Sequence, residues 1–296
     1  MSLLDSHGAD GLGSVLDSVL VRHRCKVDRL APGVWRAAGH AVEPFVVKAA
    51  DGWLTIHGSA PEEIARQPPS TLLGYASSLP GHTKLVAGVQ DDGISLRAEL
   101  PLDAEADLAA QLPAIVAAFA AREKDVAETS CCVDEATGQV SDNQHTASLS
   151  ERCAEAGWPA VERPTGELAV ELEVPGIFVQ ATLHQYQDGG WWVDVPLVSG
   201  EPATTGCREA TARLLLRVSR LVRLVQAALI PAQGGTPPGF RVWLPSTAFS
   251  SAFGHAFAAL SIGCRLCARE AAVLWHDERI AQAYLDRALA ARTPEQ

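Results

Sequence analysis

Two cysteines three residues apart, Cys264 and Cys267, stand between His255 and His276, and this set holds the donor types of a metal site or a redox pair. One straight helix cannot gather them. At about 100° per residue the cysteines share a face, while each histidine falls roughly 180° from its nearer cysteine. The histidines also stand roughly 31 Å apart along such a helix. Phe249, Phe253, Phe257, Leu260, Cys264, Cys267 and Leu274 form one apolar stripe, so packing of small buried thiols accounts for the pair. Cys131-Cys132 lies in a segment without periodicity, where an accessible thiol of low pKa would be the reactive kind and an incidental pair is the plainer reading. A cysteine-based metal or redox sensor is thus the alternative function.

Binding chemistry is offered by two further sets. Arg213, Arg217 and Arg220 recur at steps of four and three, with Arg223 close by, opposite Leu214, Leu215, Val218, Leu221, Val222 and Val225. They read either as a docking stripe for an acidic partner or as a solvated helix face paired with acids of the same molecule. Trp53, Trp191 and Trp192 head strands beside turns. Successive strand residues point to opposite faces, so at most one of Trp191 and Trp192 enters the core. The other is covered by a helix or serves as an aromatic anchor for a partner. These six residues are the candidate partner-binding set.

Catalytic patterns are missing from the chain: no nucleophile elbow, phosphate-binding or dinucleotide glycine pattern, HExxH or EF-hand loop occurs. Gly234-Gly235 sits in a Pro-rich connection from helix to strand, the wrong context for a phosphate cradle. A non-enzymatic protein without a cofactor is expected. The net charge of −11 argues against nucleic acid, and no window approaches the ~20 apolar residues of a membrane span. The first residues lack the basic and apolar regions of a secretory signal, and seven scattered cysteines give no disulfide framework, so a cytoplasmic protein is expected.

The elements that position these residues fall into two similar sets. In the first, residues 14–24 read as a short helix ended by Pro32-Gly33. Strands follow at Val34–Ala38, Pro44–Ala49 and Trp53–His57, the last two joined by the Asp51-Gly52 hairpin signal. Residues 60–70 read as a loop and the stretch from Thr71 as a Leu-rich turn. Lys84–Val89 and Ile94–Leu100 alternate as strands. A helix capped by Asp103, with Leu108, Leu112, Ile115 and Phe119 on one face and a bend at Pro113, closes the set. The second set runs from a helix near Leu149–Ala156 through strands at Glu167–Val174, Ile177–His184 and Trp191–Val195. A helix over Cys207–Ile230, a strand at Phe240–Leu244 and a helical region to Ala290, with a break near Trp275-His276-Asp277, complete it.

This predicts an α+β fold of two similar domains, 1–123 and 149–296, joined by a 124–148 linker. Each packs an antiparallel sheet against helices, and together they form a pseudo-dimer. The run Leu72-Leu73, Leu79-Pro80-Gly81, Lys84–Val89, Asp91-Asp92-Gly93, Ile94–Leu100 and the Ala/Leu helix after Pro101 resembles class I type III secretion chaperones. The second half departs by keeping one clear strand before its final helices. The resemblance implies a chaperone-like or adaptor protein that holds a segment of another protein, as a monomeric pseudo-dimer or a homodimer, by strand addition or groove binding. A self-associating scaffold is a further alternative.

Overall fold

The Asp51-Gly52 turn takes positive φ at both residues, 54° and 77°, which is the twist that lets a two-residue turn join antiparallel strands. It closes the pairing of β3 (Val42–Ala50) with β4 (Trp53–Ser59). The computed structural model describes residues 16, 18, 25–39, 42–79, 81, 83–87, 93–101, 115, 119, 143–185, 190–232, 235–245, 248 and 250–290. With β1 (Cys25–Ala31), β2 (Val34–Gly39), β5 (Thr83–Ala87) and β6 (Ile94–Pro101), these strands form a sheet of order β1-β2-β3-β4-β6-β5.

The second sheet repeats that order. Its strands are β7 (Ala160–Glu162), β8 (Leu168–Leu172), β9 (Val179–Gln185), β10 (Trp191–Pro196), β11 (Gln226–Leu229) and β12 (Pro238–Leu244), arranged β7-β8-β9-β10-β12-β11. In the first half α1 (Glu62–Ala65) and α2 (Pro69–Ser78) connect the fourth strand to the fifth. In the second half α4 (Thr205–Leu221) takes that place, after α3 (Asn143–Glu155) has led into β7. Two long helices, α5 (Ser250–His276) and α6 (Glu278–Ala290), follow β12. The protein is therefore α+β, with two similar six-stranded antiparallel sheets packed against helices.

Each sheet buries one face on helices of its own half. Phe45, Val47, Leu54 and Ile56 of the first sheet are buried, and the Phe45 ring lies 5.5 Å from that of Phe119, a helical residue after β6. Val193, Val195, Phe240 and Val242 do the same for the second sheet. There α5 comes so close that a Cβ on Gly263 would stand 3.2 Å from the Phe240 ring. One continuous apolar cluster joins both halves.

Five elements depart from the sequence reading, the first being α1, a short helix inside the expected loop of residues 60–70. Pro69–Ser78 is a helix, not a loop and turn: Pro69 occupies its first turn, where a missing N–H costs nothing, and Leu72, Leu73, Tyr75 and Ala76 are buried. Cys25–Ala31 is a strand paired through the Pro32-Gly33 turn, and its mostly exposed edge gave no alternation to read. β7, where no strand was expected, is only three residues long and gives too little alternation to read. The helix expected to reach Ile230 stops at Leu221, and Gln226–Leu229 forms β11, so the second half has both strands before its final helices. The Ser219 hydroxyl, which donates to the Val225 carbonyl at 3.2 Å and accepts the Ala227 N–H at 2.7 Å, turns the chain locally, and the first half holds the break from outside. Leu224 sits at φ 65°, its N–H donating to Glu99 Oε2 of the first half at 2.9 Å. Asp103, Leu108, Leu112, Pro113, Cys131 and Cys132 lie outside the described residues.

Candidate functional site

The charged face of each sheet packs against a helix of the other half, in the middle of the molecule. On the first sheet Lys84, Arg97 and Glu99 share that face, because Lys84 pairs with Arg97 across the strands and Glu99 lies two residues on. Lys84 is buried and holds Glu99 at 2.6 Å, while its Nζ donates to the Ser219 and Val222 carbonyls, both at 2.9 Å. Arg97 Nη1 donates to the Arg220 carbonyl at 3.3 Å. These acceptors lie at the C-terminal end of α4, where the last carbonyls have no partner within the helix and favour a cation. Burial pulls the Lys84 ammonium down to about 8, against the opposing pull of Glu99.

The second sheet returns the same arrangement. Arg241 and Asp194 face each other across β12 and β10, and both guanidinium contacts are 3.1 Å. Arg241 Nη1 also donates to the Ser77 carbonyl at 3.4 Å, and Gln226 Nε2 donates to the Ala76 carbonyl, both at the end of α2. At the other end of α2, Glu209 of α4 accepts the Ser70 N–H at 3.0 Å and the Ser70 hydroxyl. Each half thus satisfies the helix end of the other. Sequence reading missed these residues, although a lone charge inside an apolar strand run (Thr-Lys-Leu-Val, Trp-Val-Asp-Val) was the available signal.

The six expected partner-binding residues are mostly turned to this internal work. Trp53 lies between Arg223, whose guanidinium carbon is 5.1 Å from the ring centroid, and the His255 ring at 6.3 Å. Trp192 is buried under Arg241, at 4.4 Å from its guanidinium carbon. Trp191 is half-buried and packs against the core. The arginines do not form an open basic stripe. Arg213 is 7% exposed, Arg217 donates to the Tyr284 hydroxyl of α6 at 3.4 Å, and Arg220 is half-buried. The amphipathic α6 packs along α4, burying Ala281 and Ala288 and leaving Tyr284 and Leu285 half-buried.

The cysteine pair is core. Cys264 and Cys267 are buried, and the Cys267 thiol donates to the Gly263 carbonyl. Burial pushes the Cys264 thiol up to about 12 and raises Cys267 as well, with Cys264 and Glu270 adding to the rise. Thiols held protonated at neutral pH are poor nucleophiles and poor metal ligands. Among the described residues no three His, Cys, Asp or Glu side chains form a metal-holding group.

The surface that is open lies on the far side of α5. At about 100° per residue, Ile262, Leu266, Arg269 and Val273 fall within roughly 60°, opposite the buried stripe of Phe253, Leu260, Cys264 and Ala271. Ile262, Leu266 and Val273 are 49%, 52% and 44% exposed. The helix is therefore apolar on two faces and only one is covered. Val273 and Arg269 also line a groove of about 710 Å³ between α5 and the β8–β9 turn. Val174-Pro175-Gly176-Ile177 builds that turn, with Gly176 at φ 71° and the Ile177 N–H returning to the Val174 carbonyl, as Pro then Gly at its two centres dictate. The turn lifts Phe178 into solvent at 68% exposure. Arg269 reaches over it to the Pro175 carbonyl at 3.3 Å, and Arg163 enters from beside β7, donating to Gln180 at 2.7 Å.

Comparison with known proteins leaves this geometry to speak alone. No family model, curated protein or solved structure matches the chain. No helix among the described residues is long and apolar enough to cross a membrane.

Proposed function

We propose that this chain is a non-enzymatic, cytoplasmic, chaperone-like or adaptor protein that holds a segment of a partner protein on the outer face of α5 and in the adjoining groove. The observation that carries the reading is the second apolar stripe of α5, which runs through Val273 to the exposed Phe178. Exposed apolar side chains gathered on one helix face beside a groove are the kind of surface that partners cover. Its length supports a polypeptide: Ile262 to Val273 spans roughly 16 Å of helix, and the groove flanks the C-terminal half of that span. The resemblance to class I type III secretion chaperones points the same way. The inward use of Trp53, Trp192 and Arg213 moves the proposed surface away from the seam between the halves.

The test compares tagged wild-type protein with the Leu266→Asp/Phe178→Asp variant, purified from the native host under mild conditions and quantified by mass spectrometry. One protein recovered in near-equal amount with the wild type and depleted at least tenfold with the variant is the expected result. Equal recovery with both overturns the reading.

A further inference from the structure

We infer that the segment held in this groove is acidic as well as apolar: a carboxylate beside an apolar anchor, engaged by Arg163 and Arg269 while the anchor packs on Ile177, Phe178 and Val273. The inference rests on the function proposed above and adds the chemistry of the partner.

The charge pattern carries it. The chain holds 35 acids against 24 lysines and arginines, for a net charge of −11. Yet the groove is lined by two arginines and no aspartate or glutamate. The lining itself is basic in a chain that is acidic as a whole. Among the described residues the Arg269 guanidinium has one hydrogen-bond acceptor, the Pro175 carbonyl, and that bond fixes the head over the turn beside Phe178. Arg163 is fixed by Gln180 and pairs loosely with the half-buried Glu167 at 4.0 Å, a contact that a bound carboxylate would replace. Guanidinium groups held on rigid elements suit carboxylates, because a planar fork already in place loses little freedom on binding. An apolar floor excludes water and strengthens such a contact. The occupant is a polypeptide and not a small apolar acid, since Leu266 and Ile262 extend the apolar surface beyond what a ligand filling the groove would cover.

The experiment uses the full chain. A library of random twelve-residue peptides is selected against it, and one labelled winner is titrated by fluorescence anisotropy. Enrichment of Asp or Glu beside Leu, Ile or Phe is expected. Arg163→Gln and Arg269→Gln are each expected to weaken that peptide at least fivefold, while leaving its Gln-substituted counterpart within twofold. A Lys-substituted peptide should bind Arg269→Glu better than the wild type. Circular dichroism and the thermal midpoint confirm that each variant is folded. Winners without acids, or arginine variants that bind unchanged, overturn the acidic specificity while Phe178→Asp still abolishes binding. If no winner is sensitive to Phe178→Asp, the surface itself is wrong and the function falls with it. Dodecanoate binding more tightly than the best peptide overturns the inference in favour of a small apolar acid.

Discussion

Lys84→Met is the substitution that asks most of the seam between the halves. The three donors of the ammonium are fully used, on Glu99 at 2.6 Å and on the Ser219 and Val222 carbonyls at 2.9 Å each. Methionine fills similar space and removes all three contacts. Glu99 would remain buried, keeping the Leu224 N–H at 2.9 Å and Arg97 at 3.4 Å. Removing one partner of a buried pair costs about 3–5 kcal/mol, a large share of the roughly 5–15 kcal/mol that holds a typical domain folded. Urea denaturation at pH 7 reads this directly. The pH dependence adds a second check. The folded value of about 8 lies below the ordinary lysine value of 10.5. Between them the unfolded chain keeps a proton that the folded chain has released, so stability from Lys84 rises with pH. The loss caused by Lys84→Met therefore grows from about pH 8 towards pH 10. A loss under about 1 kcal/mol at pH 7, or one that shrinks with rising pH, refutes the reasoning.

Arg241→Met breaks the opposite seam, leaving Asp194 buried and the Ser77 carbonyl without its cation, and is expected to cost about 3–5 kcal/mol in the same urea assay. Gly239→Ala drives a Cβ into the Val195 carbonyl oxygen and to 3.0 Å from Pro196 Cα. Because both neighbours are backbone, a loss of about 1–3 kcal/mol is expected by thermal or urea unfolding. Five of the seven cysteines, Cys25, Cys153, Cys207, Cys264 and Cys267, are buried. A chromogenic disulfide reagent at pH 7 should label at most two thiols in the native protein and all seven in denaturant. Leu266→Asp should leave the unfolding free energy within about 0.5 kcal/mol of the wild type in the urea assay, since an exposed side chain stabilises little.

The sequence made legible what depends on near neighbours. The Asp51-Gly52 hairpin, the strands on either side of it and the Trp-headed β10 follow from turn chemistry and alternation. The duplicated plan was visible in element order despite low sequence identity. What the sequence hid depends on contacts across the molecule. β11 continues an Ala- and Leu-rich helical run, and Glu99, 125 residues away in the chain, is among the groups that hold Leu224 out of it. Lys84 and Arg241 resemble ordinary strand charges until the opposite helix ends are in place. The arginine stripe of α4 has helical spacing, and nothing within α4 reveals that α6 will lie along it. The outer stripe of α5 was readable in principle. Ile262, Leu266 and Val273 run out of phase with the phenylalanine stripe, yet an apolar residue excites no suspicion in a helix already rich in them.

The central claim, that the outer face of α5 and its groove hold a segment of another protein, is tested most directly by site-specific photocrosslinking in the native host. A benzophenone amino acid replaces Phe178 in one strain, Leu266 in a second and Leu30, on the exposed edge strand β1, in a third. The account predicts crosslinks from positions 178 and 266 to one stretch of one protein, rich in acidic and apolar residues, and none from position 30. The same partners from all three positions, or none from 178 and 266, would contradict it.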